Sequence, residues 1–410
     1  MNQTDIIIIG AGLVGTSVAV ALQGHGIKIK ILEHHLPSAA VTSSNDVRPL
    51  TLSFGSYQIL KNLGVEADLA NEACPISTVH VSDQGALGAL RFRASEFNVP
   101  ALGYVVSFAK LQQSLYQRAA LQKNVEIVPI STIDDIQCNT NHAQVTFSTI
   151  NGQQQLQADL LIAADGTHST ARRLLKIPVE EENRNEVALI ALLRLKQPHN
   201  HIAYERFTSQ GTLALLPLFQ ANQCRLVWTL PKTKADEIEQ LSDDEFRAVL
   251  HRVFKPYIGA IQSVERGKRF PLQMLIAQEQ VRPSFVMLGN ASHTLYPIAA
   301  QGFNLGLRDA AVLSEVLIDA RRQLKPLGDI RFLQEYSRWR KTDQARITGL
   351  TRGLSQWFGV QLPLANQARG LGLLATGLLP PFKKRLAKRL MGLSGRLPQL
   401  MRGLKLDDAI

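Results

Sequence analysis

Three glycines and one carboxylate near the start of the chain have the spacing of a site for a dinucleotide. They lie in the run Gly10-Ala11-Gly12-Leu13-Val14-Gly15 and at Glu33. Gly10 permits a tight turn, Gly12 lets the backbone approach a pyrophosphate, and Gly15 lets a helix pack closely on a strand. Free N–H groups at the helix start attract the phosphate charges. Glu33 can accept both hydroxyls of an adenosine ribose, and its charge would repel a 2′-phosphate.

The residues around these groups predict the elements that must position them. Asp5 to Ile9 is a short apolar, β-branched run that predicts a buried parallel strand, and Ile27 to Leu32 predicts a second one. Between them, Thr16 to Gln23 has the pattern of a helix that is ended by glycines. This order of strand, glycine turn, helix, strand and acid predicts dinucleotide binding. The alternative is a glycine-rich turn in an ordinary α/β protein.

Two more glycine sites follow buried strands further along the chain. Asp165-Gly166 comes after the apolar run Leu160 to Ala164, and Gly289-Asn290 comes after Phe285 to Leu288. Ligands of open α/β sheets bind at this carboxyl edge of the strands. The helix predicted after the third site would present free backbone N–H groups to negative charge. The alternative is that Asp165 and Asn290 are simple caps or turn residues.

In this order the three sites resemble those of the FAD-dependent aromatic hydroxylases of the p-hydroxybenzoate hydroxylase type, over most of the chain. The resemblance implies that FAD is bound by a set of residues at these sites: Gly10, Ala11, Gly12, Leu13, Val14, Gly15, Glu33, Arg48, Asp165, Gly166, Gly289, Asn290, Pro297, Ala300, Gln301, Gly302, Phe303 and Asn304. Arg48 is expected near the FAD diphosphate, Asp165 at FAD and the nicotinamide cofactor, and Asn290 at the ribityl chain. Pro297 is expected to face the flavin.

The third site is most similar to the ubiquinone-biosynthesis hydroxylases of the 2-octaprenyl-6-methoxyphenol hydroxylase type. The similarity lies in the stretch from Gly289 to Asp309, which has two departures from the wider family. Asn290 replaces an aspartate, as in that subgroup, and its amide can still hydrogen-bond a ribityl hydroxyl. Ala300 stands where glycine is usual, and its methyl group can shift the loop under the flavin.

The resemblance also implies the reaction. NADH or NADPH reduces FAD, O2 adds at flavin C4a to give a C4a-hydroperoxyflavin, and the distal oxygen is transferred to the ring of a prenylated phenol in ubiquinone biosynthesis. The cofactor carries the difficult step, and the sequence identifies no secure catalytic side chain. His168 and His293 are candidate acid–base residues, and Tyr204 and Tyr296 are candidate partners of a phenol. A structural or packing role is more typical of each.

Two other functions fit the same motifs. A flavin oxidoreductase of this fold that acts on a prenyl lipid without oxygen transfer would need the same cofactor sites. A non-enzymatic prenyl-lipid carrier would keep the fold but not the cofactor, and the intact phosphate and flavin motifs argue against it.

The length and the pattern predict two domains in a chain of 410 residues, 45% of them apolar. Buried strands that end in glycine loops are interleaved with amphipathic strands, and Asp236 to Phe254 has the pattern of one helix. We therefore expect an α/β fold: a Rossmann-like FAD-binding domain with three layers in the order β, β and α, an inserted β-sheet substrate domain and a C-terminal helical segment. The predicted bounds are 1–73, 101–180 and 278–350 for the first, 74–100 and 181–277 for the second, and 351–410 for the third.

Cysteine use and charge indicate the compartment and the kind of partner. Cys74, Cys138 and Cys224 show no metal-ligand or redox spacing, so we expect no metal site and a reducing, cytoplasmic environment. No basic segment precedes the first strand, which does not fit a signal peptide. The net charge of +11 at pH 7 predicts an anionic partner.

A cluster of these cations lies in the last part of the chain. The segment Lys383 to Arg389 carries five of them, and the run Gly370 to Phe382 before it is apolar but too short to span a bilayer. We therefore expect peripheral binding to the anionic inner-membrane surface, where a prenylated substrate resides. The alternatives are a solvated basic face, or a helix docked on the body or on a partner such as another ubiquinone-biosynthesis protein. Nucleic acid is not expected, because no aromatic interleaving accompanies the charge.

Overall fold

A sheet of the dinucleotide-binding kind forms the centre of the molecule. The computed structural model describes residues 2–36, 48–86, 88–297, 300–359, 372 and 375–406. The sheet has eight strands: β1 (Asn2–Ile9), β2 (Ile29–Glu33), β8 (Val125–Pro129), β9 (Thr132–Cys138), β10 (Ala143–Thr149), β11 (Gly152–Ala163), β17 (Val281–Arg282) and β18 (Phe285–Met287). Strands β8, β2, β1, β11 and β18 are parallel neighbours in this order. The carboxyl ends of β1, β11 and β18 therefore meet at one edge, and each is followed by one glycine site.

Both faces of this sheet are covered, which explains the continuous apolar run of β1. Ile6 and Ile8 pack in the layer of helices α1 (Leu13–Ala21), α4 (Phe108–Ala120) and α8 (Gln301–Arg322). Ile7 and Ile9 pack in the opposite layer, which contains α5 (Thr170–Leu174) and also β9 and β10, the strands that join the sheet through the first half of β11. Three layers result, in agreement with the predicted fold class.

A second sheet of eight strands forms most of the inserted region, in the order β19-β16-β12-β15-β14-β13-β5-β6. Its strands are β5 (Thr78–Asp83), β6 (Ala89–Arg93), β12 (Val179–Leu195), β13 (Ile202–Thr208), β14 (Gly211–Pro217), β15 (Gln223–Pro231), β16 (Ile261–Ala277) and β19 (His293–Thr294). One face packs around Trp228 on α6 (Lys232–Glu239) and α7 (Asp243–Ile258). A third sheet joins β3 (Pro49–Ser53), β7 (Gly103–Ser107) and β4 (Cys74–Ile76).

Two helices, not one, follow β15, so the single helix predicted from Asp236 to Phe254 is wrong. The break lies before α7, where the Ser242 hydroxyl accepts a hydrogen bond from the Glu245 N–H at 3.3 Å. The Glu245 carboxylate in turn accepts one from the Ser242 N–H at 2.8 Å. This reciprocal cap begins a new helix.

The last part of the chain packs on the body. Helix α9 (Ile330–Gly359) runs through the boundary predicted at 351, and α10 (Pro380–Leu390) comes after it. Two helices from an earlier part of the chain, α2 (Phe54–Asn62) and α3 (Glu66–Leu69), contribute to the helical layer of the first sheet. Leu400, Met401 and Leu406 are buried in the helical layer of the first sheet, and the Asn62 amide donates to the Leu400 carbonyl at 2.6 Å. The alternative that the C-terminal segment docks on the body of the protein is therefore correct for the residues from Leu400 to Leu406.

The predicted apolar run before α10 is only partly described, since residues 370, 371, 373 and 374 lie outside the described residues. Within the part of the chain that the structure describes, no helix is both long enough and apolar enough to cross a membrane.

Candidate functional site

The first glycine turn has the geometry of a phosphate cradle. Gly10 has φ +102°, a conformation that favours glycine. A Cβ on Gly15 would lie 2.1 Å from the carbonyl oxygen of Gly10, so α1 can pack against the turn only with glycine there. A Cβ on Gly12, in contrast, would meet nothing within 4 Å. This open space lies at the N-cap of α1, so the residues present fit a pyrophosphate.

Glu33 is tied to the same turn. Its carboxylate accepts hydrogen bonds from the backbone N–H of Ala11 at 2.5 Å and of His35 at 2.7 Å. A carboxylate has about four acceptor positions, so it can still receive hydroxyl groups. The predicted ribose contact therefore fits this geometry and stays a prediction.

The second and third sites are joined by hydrogen bonds. Arg172 donates to the carbonyl oxygens of Ala291 and Thr167, each at 2.8 Å. The Thr167 hydroxyl accepts from the Asn290 amide at 3.5 Å and from the Thr294 hydroxyl at 3.2 Å. The segments after β11 and β18 therefore form one unit.

Asp165 lies between this unit and the start of α5. Its carboxylate accepts a hydrogen bond from the Ala171 N–H at 3.1 Å. Burial raises the pKa of Asp165, and hydrogen bonds from Ser169 and Ala171 oppose this rise. Asp165 supports α5 in this way, and its predicted contact with the cofactors stays a prediction.

The third glycine site packs against the first. Gly289 has φ +56°, and a Cβ there would lie 3.0 Å from Cγ2 of Val14. A Cβ on Gly306 of α8 would lie 3.0 Å from the Cα of Gly289. Asn290, next in the chain, is exposed, so its amide is accessible to a ligand.

The start of α8 has one residue in a strained conformation and one buried side chain that links α8 to β3 by hydrogen bonds. Ala300 has φ +51° at the N-cap, a left-handed conformation that favours glycine. The buried Asn304 side chain accepts from the Ser53 N–H at 2.8 Å and donates to the carbonyl oxygens of Thr51 at 2.9 Å and Ala300 at 2.6 Å. Asn304 therefore joins α8 to β3, which is a structural role.

A large cavity of about 970 Å³ brings most of the predicted residues together. The predicted residues in its lining are Gly12, Leu13, Val14, Arg48, Gly166, Gly289, Asn290, Pro297, Ala300, Gln301, Gly302, Phe303 and Asn304. Gly10, Ala11, Gly15, Glu33 and Asp165 are not in the lining. The Arg48 guanidinium lies 4.3 Å from the ring centre of Phe108 and 5.4 Å from that of Phe270.

The other side of the cavity is a face of the second sheet, and no motif in the sequence indicates this face. Strand register places Ile190, Val227, Ala214, Glu205 and Val81 in one row across β12, β15, β14, β13 and β5, and all five line the cavity. Among the described lining residues, Glu205 carries the one carboxylate. Apolar alternation within each strand was visible in the sequence, but the order of the strands was not.

His293 belongs to a buried ionic network. Its Nε2 lies 2.5 Å from Asp309 Oδ2, and Asp309 Oδ1 accepts from Arg340 at 2.6 Å and from Gln344 at 3.0 Å. Burial alone would raise the pKa of Asp309, but the charges of Arg340 and His293 hold it well below its usual range. The network joins β19, α8 and α9, so His293 has the structural role that the sequence favoured.

Of the other candidate acid–base and phenol-binding residues, His168 is exposed on the surface and is not in the cavity lining. The hydroxyl groups of the two tyrosines already have partners within the protein. The Tyr204 hydroxyl donates to the Tyr257 carbonyl at 3.1 Å, and the Tyr296 hydroxyl donates to the Glu182 carbonyl at 3.2 Å. Both tyrosines therefore use their hydroxyls in packing, although Tyr204 also lines the cavity.

Cys74, His199 and His201 come together in the fold, although their spacing in the sequence does not show it. One ligand atom from each lies within 4.8 Å of the others. His199 Nδ1 accepts from the His201 N–H at 3.0 Å, and Nε2 lies 2.8 Å from the Leu218 carbonyl, to which it must donate. His199 therefore has no lone pair left for a metal. Burial raises the pKa of Cys74 to about 11, which keeps the thiol protonated.

The chain is similar to known proteins over nearly its whole length. A family model described as FAD binding domain matches residues 3–348. The 3-demethoxyubiquinol 3-hydroxylase of Escherichia coli is 30% identical over 396 residues, which cover 96% of this chain and 100% of that protein. Ubiquinone hydroxylase UbiL of Rhodospirillum rubrum is 28% identical over 405 residues, which cover 98% of this chain and 93% of that protein.

A solved structure shares the fold. The crystal structure of p-nitrophenol 4-monooxygenase PnpA from Pseudomonas putida matches with a TM-score of 0.76 at 17% identity. The match covers 97% of this chain and 100% of that chain. The predicted fold class is confirmed.

Proposed function

Because the chain belongs to the FAD-binding domain family of monooxygenases, we propose that it hydroxylates the ring of a prenylated phenol in ubiquinone biosynthesis, with NADH or NADPH and O2 as co-substrates. It is an FAD-dependent aromatic hydroxylase. The observation that carries the proposed substrate is the cavity, which joins the three glycine sites to an apolar sheet face. The relatives named as ubiquinone hydroxylases support the same substrate class.

In this proposal the chain's own residues bind the cofactor, orient the substrate ring and exclude water from the site. The open N–H groups at Gly12 bind the diphosphate, with Arg48 adding positive charge nearby. Asn290 holds the ribityl chain, and the start of α8 at Gly302 directs its N–H groups toward negative charge on the flavin. Bound FAD supplies the reducing and oxygen-activating chemistry. The sheet row that includes Val227 holds the ring and keeps water away.

The test of the reaction uses the purified holoenzyme with a soluble phenol. We expect the phenol to stimulate NADH or NADPH oxidation, and isotope from labelled O2 to enter the product. If NAD(P)H oxidation is instead coupled to the reduction of a prenyl lipid and no labelled product forms, the result indicates the oxidoreductase. A colourless protein that binds prenyl lipid would indicate the carrier.

The ring position is tested in cells. Deleting the gene should cause one quinone precursor to accumulate, and its structure identifies the missing hydroxyl group. An unchanged precursor profile in a strain without other flavin hydroxylases would contradict the proposed pathway.

We also propose that the enzyme binds the cytoplasmic face of the inner membrane through the start of α10. Leu378, Leu379 and Phe382 are 77%, 57% and 55% exposed, which is unusual for large apolar side chains lying together. Lys384 and Lys388 of α10, which begins directly after Leu379, are exposed as well. Apolar groups flanked by cations suit the surface of an anionic bilayer.

The structure narrows the set of cations available to lipid. Lys383 pairs with Glu96 at 2.6 Å, and the Arg396 guanidinium lies 3.5 Å from the ring centre of Trp339. The exposed cations of α10 are Lys384, Arg385 and Lys388. Their combined attraction to lipid is at most about 3 kcal/mol, at about 1 kcal/mol for each cation.

The membrane test compares two triple glutamine variants in sedimentation with anionic liposomes. Replacing Lys384, Arg385 and Lys388 should release the protein, and high salt should do the same to the wild type. The control variant replaces three exposed lysines elsewhere, Lys123, Lys325 and Lys341, and should stay bound. Equal release of both variants would mean that net charge alone matters. Binding unaffected by salt would favour another ubiquinone-biosynthesis protein as the partner of α10.

A further inference from the structure

One wall of the cavity is a helix from the C-terminal part of the chain. Leu386, Ala387 and Leu390 of α10 line the cavity, together with Leu90 and Phe92 of β6. Ala387, Leu90 and Phe92 are buried in one apolar cluster, against which Leu386 packs. Helix α10 and strand β6 therefore pack against each other and together form one apolar wall of the cavity.

This part of the cavity reaches the protein surface at the start of α10. Phe382 lines the cavity and is also 55% exposed. Thr376 lines it as well, and its hydroxyl already donates to the Gly372 carbonyl at 2.8 Å. An apolar wall therefore runs from the side of the cavity that carries the glycine sites to the exposed apolar residues at the start of α10. The polar lining groups nearest this wall are the Gln301 amide, which donates to the Leu390 carbonyl, and Glu205, whose neighbour in the sheet row, Val81, pairs with Leu90.

The C-terminal end of α10 is fixed to the cofactor side of the molecule. The Gly55 N–H donates to the Met391 carbonyl at 2.9 Å. The Gln301 amide donates to the Leu390 carbonyl at 3.4 Å. Because Gly55 belongs to α2 and Gln301 begins α8, this end of α10 is held in place by two elements of the nucleotide-binding layer.

The N-terminal end of α10 is held by a different kind of contact. Lys383 Nζ lies 2.6 Å from Glu96 Oε2 in the turn that follows β6. The same ammonium group lies 6.0 Å from the ring centre of Phe92. The side chains of Lys383 and Glu96 are 17% and 30% exposed, so the ion pair is largely shielded from solvent. It closes the wall between α10 and β6 at the point where the cavity opens.

We infer that the prenyl chain of the substrate follows a path along the wall formed by α10 and β6 and leaves the cavity past Phe382. We also infer that the Lys383–Glu96 ion pair acts as a latch that holds α10 against β6 and so keeps this wall closed over the chain. The inference rests on the proposed function, which places the ring near the glycine sites. An isoprenoid chain suits the path because it is apolar, flexible and without hydrogen-bonding groups. The path also ends at the surface proposed to face the membrane, where the rest of a long chain can stay in lipid.

The first experiment changes the width of the path at one position. Holoenzyme with Leu386→Trp, which narrows the path, is compared with Leu386→Ala, which widens it, and with wild type. The ligands are phenols with one ring structure and zero to three isoprene units, and equilibrium dialysis gives their dissociation constants. For Leu386→Trp, the ratio of the triprenyl to the tail-free dissociation constant should rise about tenfold. For Leu386→Ala, it should stay within about threefold of wild type.

An unchanged ratio in Leu386→Trp, or an equal loss of affinity for all the phenols, would overturn the inference. The measurement does not depend on turnover. If wild type binds the phenols but hydroxylates none, the proposed function fails, while the ratio still reports where the chain lies.

The second experiment reverses the latch. Glu96→Lys places two cations together, and the double variant Glu96→Lys with Lys383→Glu restores an ion pair of opposite direction. Stopped-flow displacement of the triprenyl phenol should give a dissociation rate about five- to tenfold faster in the single variant, with a return to near the wild-type rate in the double variant. Glu237→Lys, which breaks the distant exposed pair Lys234–Glu237, is the matched control and should not change the rate. A rate unaffected by Glu96→Lys, or not restored by the swap, would overturn the latch.

Discussion

Two glycines in the same turn should respond to substitution in opposite ways. Gly12→Val adds a side chain where the structure shows nothing within 4 Å of a Cβ, and its φ of −72° is open to any residue. Gly15→Ala adds a methyl group 2.1 Å from the Gly10 carbonyl oxygen and 3.2 Å from Ile8 Cγ2. The first substitution therefore blocks the space for a ligand, and the second one disturbs the fold itself.

The magnitudes follow from these distances. Gly15→Ala requires α1 to move away from β1, and overpacking of this kind costs about 1–3 kcal/mol of unfolding free energy. Gly12→Val should cost the apoprotein less than about 1 kcal/mol, through a poorer helix N-cap. If Gly12→Val removes one hydrogen bond to a charged phosphate of FAD, the binding free energy falls by about 1.5–3 kcal/mol. This corresponds to roughly ten- to 150-fold weaker affinity for FAD.

The assay measures thermal unfolding of the apoproteins and the FAD dissociation constant by quenching of flavin fluorescence. Gly12→Val should unfold near the wild-type temperature and lose its yellow colour on dilution. Gly15→Ala should unfold at a clearly lower temperature. The reasoning is refuted if Gly12→Val retains wild-type FAD affinity, or if the two apoproteins lose the same stability.

Substitutions at three further positions test other parts of the molecule. Asn290→Asp should keep FAD affinity and Asn290→Leu should weaken it by roughly two- to tenfold, as expected for one neutral hydrogen bond and measured by FAD titration. Ala300→Gly should stabilise the protein by about 1 kcal/mol in thermal unfolding, because glycine adopts φ +51° without strain; lower stability would contradict this. Asp309→Asn should cost about 3 kcal/mol at pH 7, because the buried charge between Arg340 and His293 is lost while Arg340 keeps its ion pair with Asp343. Since the pKa of Asp309 is lowered by folding, the wild-type advantage is fully present above the unfolded pKa of about 4 and should shrink as the pH falls below it. Chemical denaturation from pH 7 to pH 3 measures this, and a gap that grows in acid would exclude the network as its cause.

The sequence predicted the cofactor side of the molecule because its signals are local. Each glycine site directly follows a buried strand, and parallel strands end at a common edge. Once β1, β11 and β18 are neighbours, Gly12, Gly166 and Gly289 must come together, as the cavity lining confirms. The break before α7 was also readable, since Ser242 and Glu245 have the spacing of a capping box.

The substrate side depends on contacts between distant parts of the chain. The cavity row across the second sheet needs β5 beside β13, a pairing of Val81 with Glu205 that no local pattern indicates. The basic segment was equally ambiguous, because leucines alternating with cations suit either a membrane or the protein body. Only the tertiary contacts show that Ala387 and Met401 are buried while Phe382 is exposed.

The burial of Leu400, Met401 and Leu406 has a consequence for how the molecule is made. The second sheet is mostly continuous in sequence, from β12 to β16, so we expect it to form early as the chain leaves the ribosome. The first sheet cannot be complete before β18 has been synthesised, and its helical layer is incomplete until residue 406 has emerged. We therefore expect FAD to be bound late in biogenesis, and we expect a nascent chain stalled before Leu400 to expose an unfilled apolar surface to chaperones and proteases.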